Sequence, residues 1–125
     1  MTDEELLERA TQAASEAYAP YSHLHVGAAV LLRDGRVVTG VNVENASYPL
    51  GICAERAALA RAVTEGARPG DVEAVAVAAA GEEVSPCGGC RQWLTEFGVD
   101  RVLFLKRGEL VSPKPEELLP DAFTL

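Results

Sequence analysis

Three cysteines constrain this chain more than any other feature. Cys53 lies in "GICAERAA", and Cys87 and Cys90 lie in "SPCGGCRQ", half of a typical four-cysteine zinc clamp. If they form one site, the fold must bring two distant segments together. Cys87 and Cys90 are three positions apart, so at the start of a helix their sulfurs lie on one side and can share an ion. Pro86 suits the start of that helix, and Gly88 and Gly89 let backbone approach the ion closely. Cys53 stands at or just before the start of an alanine-rich helical segment. The expected geometry is therefore two helix N-termini aimed at one zinc. Each carries roughly half a positive charge, which helps keep a thiol as the thiolate that zinc requires.

An odd number of cysteines is poor material for a disulfide framework, so metal or redox chemistry is the better expectation. At 125 residues, 48% hydrophobic and 24% charged, the sequence predicts one compact domain over 1–125. It holds no apolar run long enough to span a membrane, and "MTDEELLERA" is acidic where a signal peptide would be basic, so a cytoplasmic protein is expected. A formal net charge of -8 argues against a nucleic-acid partner, which draws affinity from lysine and arginine. The partner should be small or neutral.

Apolar residues recur at helical spacing from Asp3 to Tyr18, with Thr2 or Asp3 as cap, until Pro20 breaks the pattern. "VGAAVLL" and "VVTGVNVE" read as strands joined at Asp34-Gly35. A second helix is predicted from about Cys53 to Glu65, then a buried strand in "VEAVAVAA". Helical spacing resumes in "PCGGCRQWLTEFG", followed by a strand in "RVLFL" and short pieces in "ELV" and "KPEELL". This order predicts an α/β fold, a mixed sheet with helices packed on both faces.

A structural zinc site has four protein ligands, whereas a catalytic one leaves a position for water. Three sulfurs leave it open. His23 and His25 are the candidates for a fourth ligand, although they lack the usual spacing, and "CGGC" alone could be a redox pair. If water completes the shell, a group must move protons. Glu55, two residues after Cys53, is turned about 200° from it on a regular helix, so both face one pocket only if the helix points end-on at the metal. A carboxylate there can do general acid/base work, or it can be a charge compensating the helix dipole. Arg56 can offset the negative charge of three thiolates by bonding a ligand sulfur, or it can be a solvated helix arginine. In an extended "VVTGVNVE", Asn42 and Glu44 project together to one face, as a ligand site or as a solvated edge.

"CAER" followed by "PCGGC" resembles the zinc-dependent cytidine deaminases, specifically their small, all-cysteine class. "YSHLHVGAAV", "GVNVENASYPLGICAER", "SPCGGCRQWLTEFG" and "LLPDAF" stand in that family's order across nearly the whole chain. The resemblance implies a three-layer α/β/α sandwich around a five-stranded mixed sheet. It implies one zinc per subunit on Cys53, Cys87 and Cys90, with Glu55 as the proton shuttle and Arg56 beside the ligands. Hydrolysis would convert cytidine and 2′-deoxycytidine to uridine and 2′-deoxyuridine plus ammonia, in pyrimidine salvage. Asn42 and Glu44 would bind the ribose, and Ala54, Ala46, Leu24, Tyr48 and Phe123 would contact the nucleoside. Leu24 stands where similar proteins have phenylalanine, and His25 where they usually have proline; leucine lacks the aromatic quadrupole. The resemblance further implies a homotetramer, with Tyr48 and Phe123 reaching a neighbouring subunit's pocket. Alternatives are a deaminase of a related cytosine nucleoside such as blasticidin, and a noncatalytic zinc scaffold.

Overall fold

The apolar runs alternate in size, and this sorts their side chains onto two different sheet faces. The computed structural model describes residues 1–125. Its strands are β1 (Val26–Leu32), β2 (Val37–Val41), β3 (Val72–Ala79), β4 (Arg101–Lys106) and β5 (Glu109–Val111). They form one sheet in the order β2-β1-β3-β4-β5. β1 is antiparallel to β2 and β3, β3 is parallel to β4, and β4 is antiparallel to β5. One face carries Ala28, Val30, Val75, Val77, Val102 and Phe104; the other carries Ala29, Ala74, Ala76, Ala78 and Leu103.

The face of small residues receives α1 (Asp3–Ala13) through Leu6 and Ala10. The opposite face receives α2 (Ala54–Thr64) through Ala54, Ala58, Leu59 and Ala62, and α3 (Gly88–Glu96) through Leu94. Leu118 of the short α4 (Pro115–Leu118) packs on the same side. The three-layer α/β/α arrangement and the mixed five-stranded sheet are those expected. Two glycines set the helix-to-sheet distance. A Cβ on Gly27 would lie 2.1 Å from the carbonyl oxygen of Ala10 in α1, and one on Gly40 would lie 2.3 Å from the backbone nitrogen of Ala58 in α2. Only the missing side chain lets each helix backbone come so close.

Three boundaries differ from the sequence expectation. α1 stops at Ala13, and a 3-10 turn covers Ala14–Glu16, so the helix does not reach Tyr18. Tyr18 is instead held by a second segment: its N–H donates to the Asn42 carbonyl at 3.0 Å, and its carbonyl accepts from Glu44 N–H at 2.9 Å. β2 ends at Val41, because Val43 turns away to pair with Ile52 through two backbone hydrogen bonds of 3.0 and 2.9 Å. Pro86 precedes the N-cap of α3 and lies outside the helix, where its carbonyl accepts from Arg91 Nε at 2.8 Å.

Candidate active site

Cys53 and Cys87 are both N-cap residues, of α2 and α3 respectively, with extended backbone (ψ 155° and 168°). Cys90 lies in the first turn of α3, fully buried, and its N–H donates to the Cys87 sulfur at 3.5 Å. Both helices therefore end on one point, because their N-termini lie on the same side of the sheet. The three sulfurs are within 4.8 Å of one another, and Cys53 Sγ and Cys87 Sγ are 3.6 Å apart. Tetrahedral zinc with bonds of about 2.3 Å requires sulfurs about 3.8 Å apart, so the thiols fit that ion. The cluster contains no histidine and no carboxylate; neither His23 nor His25 joins it.

The electrostatics of the cluster favour thiolate. Hydrogen bonding from Cys90 is the chief reason the Cys53 thiol is lowered to about 5, with Arg56 and Cys87 adding to it. Cys90, as the donor, is pushed up, and burial raises it further. Arg56 Nη2 reaches the Cys53 sulfur at 3.5 Å.

Glu55, in the first turn of α2, is 3% exposed. Burial pushes its carboxyl up to about 7, and the neighbouring Cys53 charge adds to the shift. A carboxylate in a helix's first turn is ordinary on a surface, but a buried one without a cation pair is costly. This one stands at the floor of a cleft of about 420 Å³ that also exposes Cys53 and Cys87.

The cleft walls come from four parts of the chain: residues 24–26, 42–56, Val77 of β3 and 84–87. Leu24, Asn42, Glu44, Tyr48 and Ala54 all line it. The β1–β2 ladder ends at Val41, but the chain stays extended through bridges of Val43 with Tyr18 and Ile52, and Asn42 and Glu44 both line the cleft as expected. Asn42 also clamps the start of β1: its Oδ1 accepts from Val26 N–H and its Nδ2 donates to the Leu24 carbonyl, both at 2.8 Å. Ala46 and Phe123 are not part of this wall. Ala46 is exposed, and Phe123, 70% exposed, is held by its carbonyl to Gln92 Nε2 at 2.9 Å. Both residues stand away from the cleft because a loop and a C-terminal segment carry them outward.

Several residues of the site carried no sequence signal. Ser22 sits in a polar loop, and its hydroxyl donates to the Glu44 carboxylate. Val84 and Ser85 complete the wall beside Cys87, and Arg91 braces Pro86. Glu83 ties that loop to the β4–β5 turn by accepting from Arg107 N–H at 2.9 Å and Gly108 N–H at 2.6 Å. The contacts of Ser22 with Glu44 and of Glu83 with Arg107 and Gly108 join residues 22 to 25 positions apart, which no spacing rule reveals.

Comparison with known proteins decides what this centre belongs to. The family model described as the cytidine and deoxycytidylate deaminase zinc-binding region matches residues 1–106. The chain belongs to the cytidine and deoxycytidylate deaminase family. A cytidine deaminase of Halalkalibacterium halodurans is 48% identical over 123 residues, covering 95% of this chain and 92% of that protein. The crystal structure of cytidine deaminase from Burkholderia pseudomallei superposes with a TM-score of 0.91 at 46% identity, over 98% of this chain and all of that one. A blasticidin-S deaminase of Bacillus cereus is more distant, 33% identical over 98% of this chain and 92% of its own length. Like other members of this deaminase family the chain is a hydrolytic deaminase of small nucleosides with a zinc-binding region, and its cysteine cluster is compatible with that ion. No helix is long and apolar enough to cross a membrane.

Proposed function

We propose that this chain hydrolytically deaminates cytidine and 2′-deoxycytidine to uridine and 2′-deoxyuridine with release of ammonia, as one domain over 1–125. The observation that carries the reading is the buried Glu55 carboxyl, raised to about 7, at the floor of a cleft beside three clustered thiols. Cys53, Cys87 and Cys90 would hold the zinc. When bound, zinc supplies Lewis acidity that makes water a nucleophile near neutral pH.

The chain's own groups then divide the remaining work. Glu55 takes a proton from the attacking water and delivers it to the ring nitrogen beside carbon 4. It carries the second proton to the amine, so that the carbon–nitrogen bond breaks and ammonia leaves. A carboxyl poised near 7 can do both, since each protonation state is populated at neutral pH. Ala54 is the first residue of α2, so its N–H has no intrahelical acceptor and is free to bind the base. Leu24 supplies an apolar wall, Asn42 and Glu44 meet the sugar, and Tyr48 closes the mouth. The test is loss of cytidine absorbance on mixing with zinc-loaded protein; no change with cytidine or deoxycytidine would end the reading.

Blasticidin is the second reading, and its known deaminase shares less sequence with this chain than the cytidine deaminase of Halalkalibacterium halodurans does. A noncatalytic scaffold has no use for a costly buried carboxylate beside the thiols. We place the enzyme in the cytoplasm, where the reducing poise keeps three thiols free for metal. A homotetramer with shared sites is supported by the apolar side chains left in solvent, including Tyr48 (83% exposed), Leu50 (71%) and Phe123 (70%). Light scattering at micromolar concentration tests it, and a monomer would remove Phe123 from any shared pocket.

A further inference from the structure

The loop before β1 contains a single hydroxyl that joins two walls of the cleft. Glu44 Oε1 accepts from the backbone N–H groups of Tyr21 (3.0 Å) and Ser22 (3.1 Å), and Glu44 Oε2 accepts from Ser22 Oγ. The same Ser22 oxygen accepts from Leu24 N–H at 3.0 Å. His23, between them, has φ of 61°, the left-handed bend that turns Leu24 N–H back towards Ser22. A hydroxyl has one proton to give, and an ionised carboxylate can only accept. The Ser22 proton therefore points at Glu44 and an oxygen lone pair at Leu24. The rotor is fixed from both sides. The Ser22 hydroxyl is also the first cause holding the Glu44 carboxyl below its ordinary value, so Glu44 stays an acceptor across the neutral range.

A carboxylate offers about four acceptor positions. Three are filled by Tyr21, Ser22 and the Ser22 hydroxyl, so one is left for a ligand. Glu44 and Leu24 both line the cleft, on the sides assigned above to sugar and base.

We propose that Ser22 is a positioning residue for sugar recognition: its hydroxyl aims the last free acceptor of Glu44 at one sugar hydroxyl and ties that carboxylate to the Leu24 wall. The inference rests on the proposed role of Glu44 as the sugar-binding carboxylate. Ser22 touches neither the base nor the reacting atoms, so its effect falls on substrate binding and not on the chemical step.

The experiment compares Ser22→Ala, Ser22→Thr and Glu44→Gln, all zinc-loaded, on cytidine and on 2′,3′-dideoxycytidine, which lacks both ring hydroxyls. Loss of one charge-assisted hydrogen bond should raise KM for cytidine about tenfold in Ser22→Ala, with kcat changed less than about twofold. KM for dideoxycytidine should move less than about threefold, and Ser22→Thr, which keeps the hydroxyl, should restore the wild-type preference. A merely structural role would lower the melting temperature and weaken both substrates alike. That result, an unchanged KM for both, or a Ser22→Thr no better than Ser22→Ala would overturn the proposal. Glu44→Gln separates the two levels. If it abolishes the preference for cytidine while Ser22→Ala does not, Ser22 alone is misassigned; if it leaves the preference intact, the sugar role of Glu44 fails, and the proposal with it.

Discussion

The Arg56 guanidinium lies 3.5 Å from the Cys53 sulfur, one helical turn along α2, and it is the only cation in hydrogen-bond contact with the thiol cluster. Three thiolates around a divalent ion would leave a net negative charge that this contact would partly offset. Its Nε is buried without a partner, so the side chain is committed to this place at some cost. Arg56→Gln should weaken zinc binding by about tenfold or more, the range found when groups behind a metal ligand are lost. Competition with a chromophoric chelator measures this. Unchanged affinity would make Arg56 a packing residue.

The proposed proton-shuttle role of Glu55 can be tested separately from metal binding. Because its carboxylate stands outside the sulfur cluster, Glu55→Ala should keep one zinc per chain by elemental analysis. Its deaminase rate should fall by about 10²–10⁴-fold, the size of a general acid/base contribution. Near-normal turnover would remove the proton-shuttle assignment.

Burial of Glu55 also predicts a pH signature in metal-stripped protein. Its folded value, about 7, lies above the ordinary 4.5, so its contribution to stability is full below 4.5 and is lost as pH rises through 7. Cys53 runs the other way: lowered to about 5, it adds stability that is present above 9 and lost as pH falls through 5. Glu55→Gln isolates the first effect. Relative to wild type, the variant should gain about 3 kcal/mol between pH 4.5 and 8 in urea unfolding. A difference that does not vary with pH would contradict the burial argument.

Gly40 controls how closely α2 lies on the sheet. Gly40→Ala would set a methyl 2.3 Å from the Ala58 nitrogen, so the helix must retreat. Overpacking of this kind costs about 1–3 kcal/mol, which thermal unfolding would register. Since α2 carries Cys53 at its N-cap, zinc affinity should fall with it. A stable variant with full zinc affinity would show that the helix is freer to move than its packing implies.

Asn42 should be intolerant of charge. Asn42→Asp removes the donor that reaches the Leu24 carbonyl at 2.8 Å and places a carboxylate against that oxygen. An unsatisfied buried partner costs about 1–3 kcal/mol, and the displaced β1 start should raise KM together with the loss of stability. Asn42→Asp with wild-type KM and melting temperature would show that the clamp carries no load.

Local chemistry made much of the protein readable in advance. Alternation in "VGAAVLL" and "VEAVAVAA" determined which side chains meet each helix layer, because strand side chains must alternate whatever the partner. The spacing of Cys87 and Cys90, the position of Cys53 at a helix start, and Glu55 one residue into α2 followed from helix geometry alone. Tertiary structure decided the rest. Where α1 stops depends on Tyr18 being captured by residues 42–44, where β2 ends depends on Val43 finding Ile52, and the aim of Glu44 depends on Ser22 across the loop. The first two are hydrogen bonds between backbone groups far apart in sequence, and a backbone amide is the same in every residue type; the third joins two side chains 22 positions apart, which no local spacing links. Side-chain pattern encodes which face is buried; it does not encode which distant amide satisfies a given carbonyl until the chain has folded.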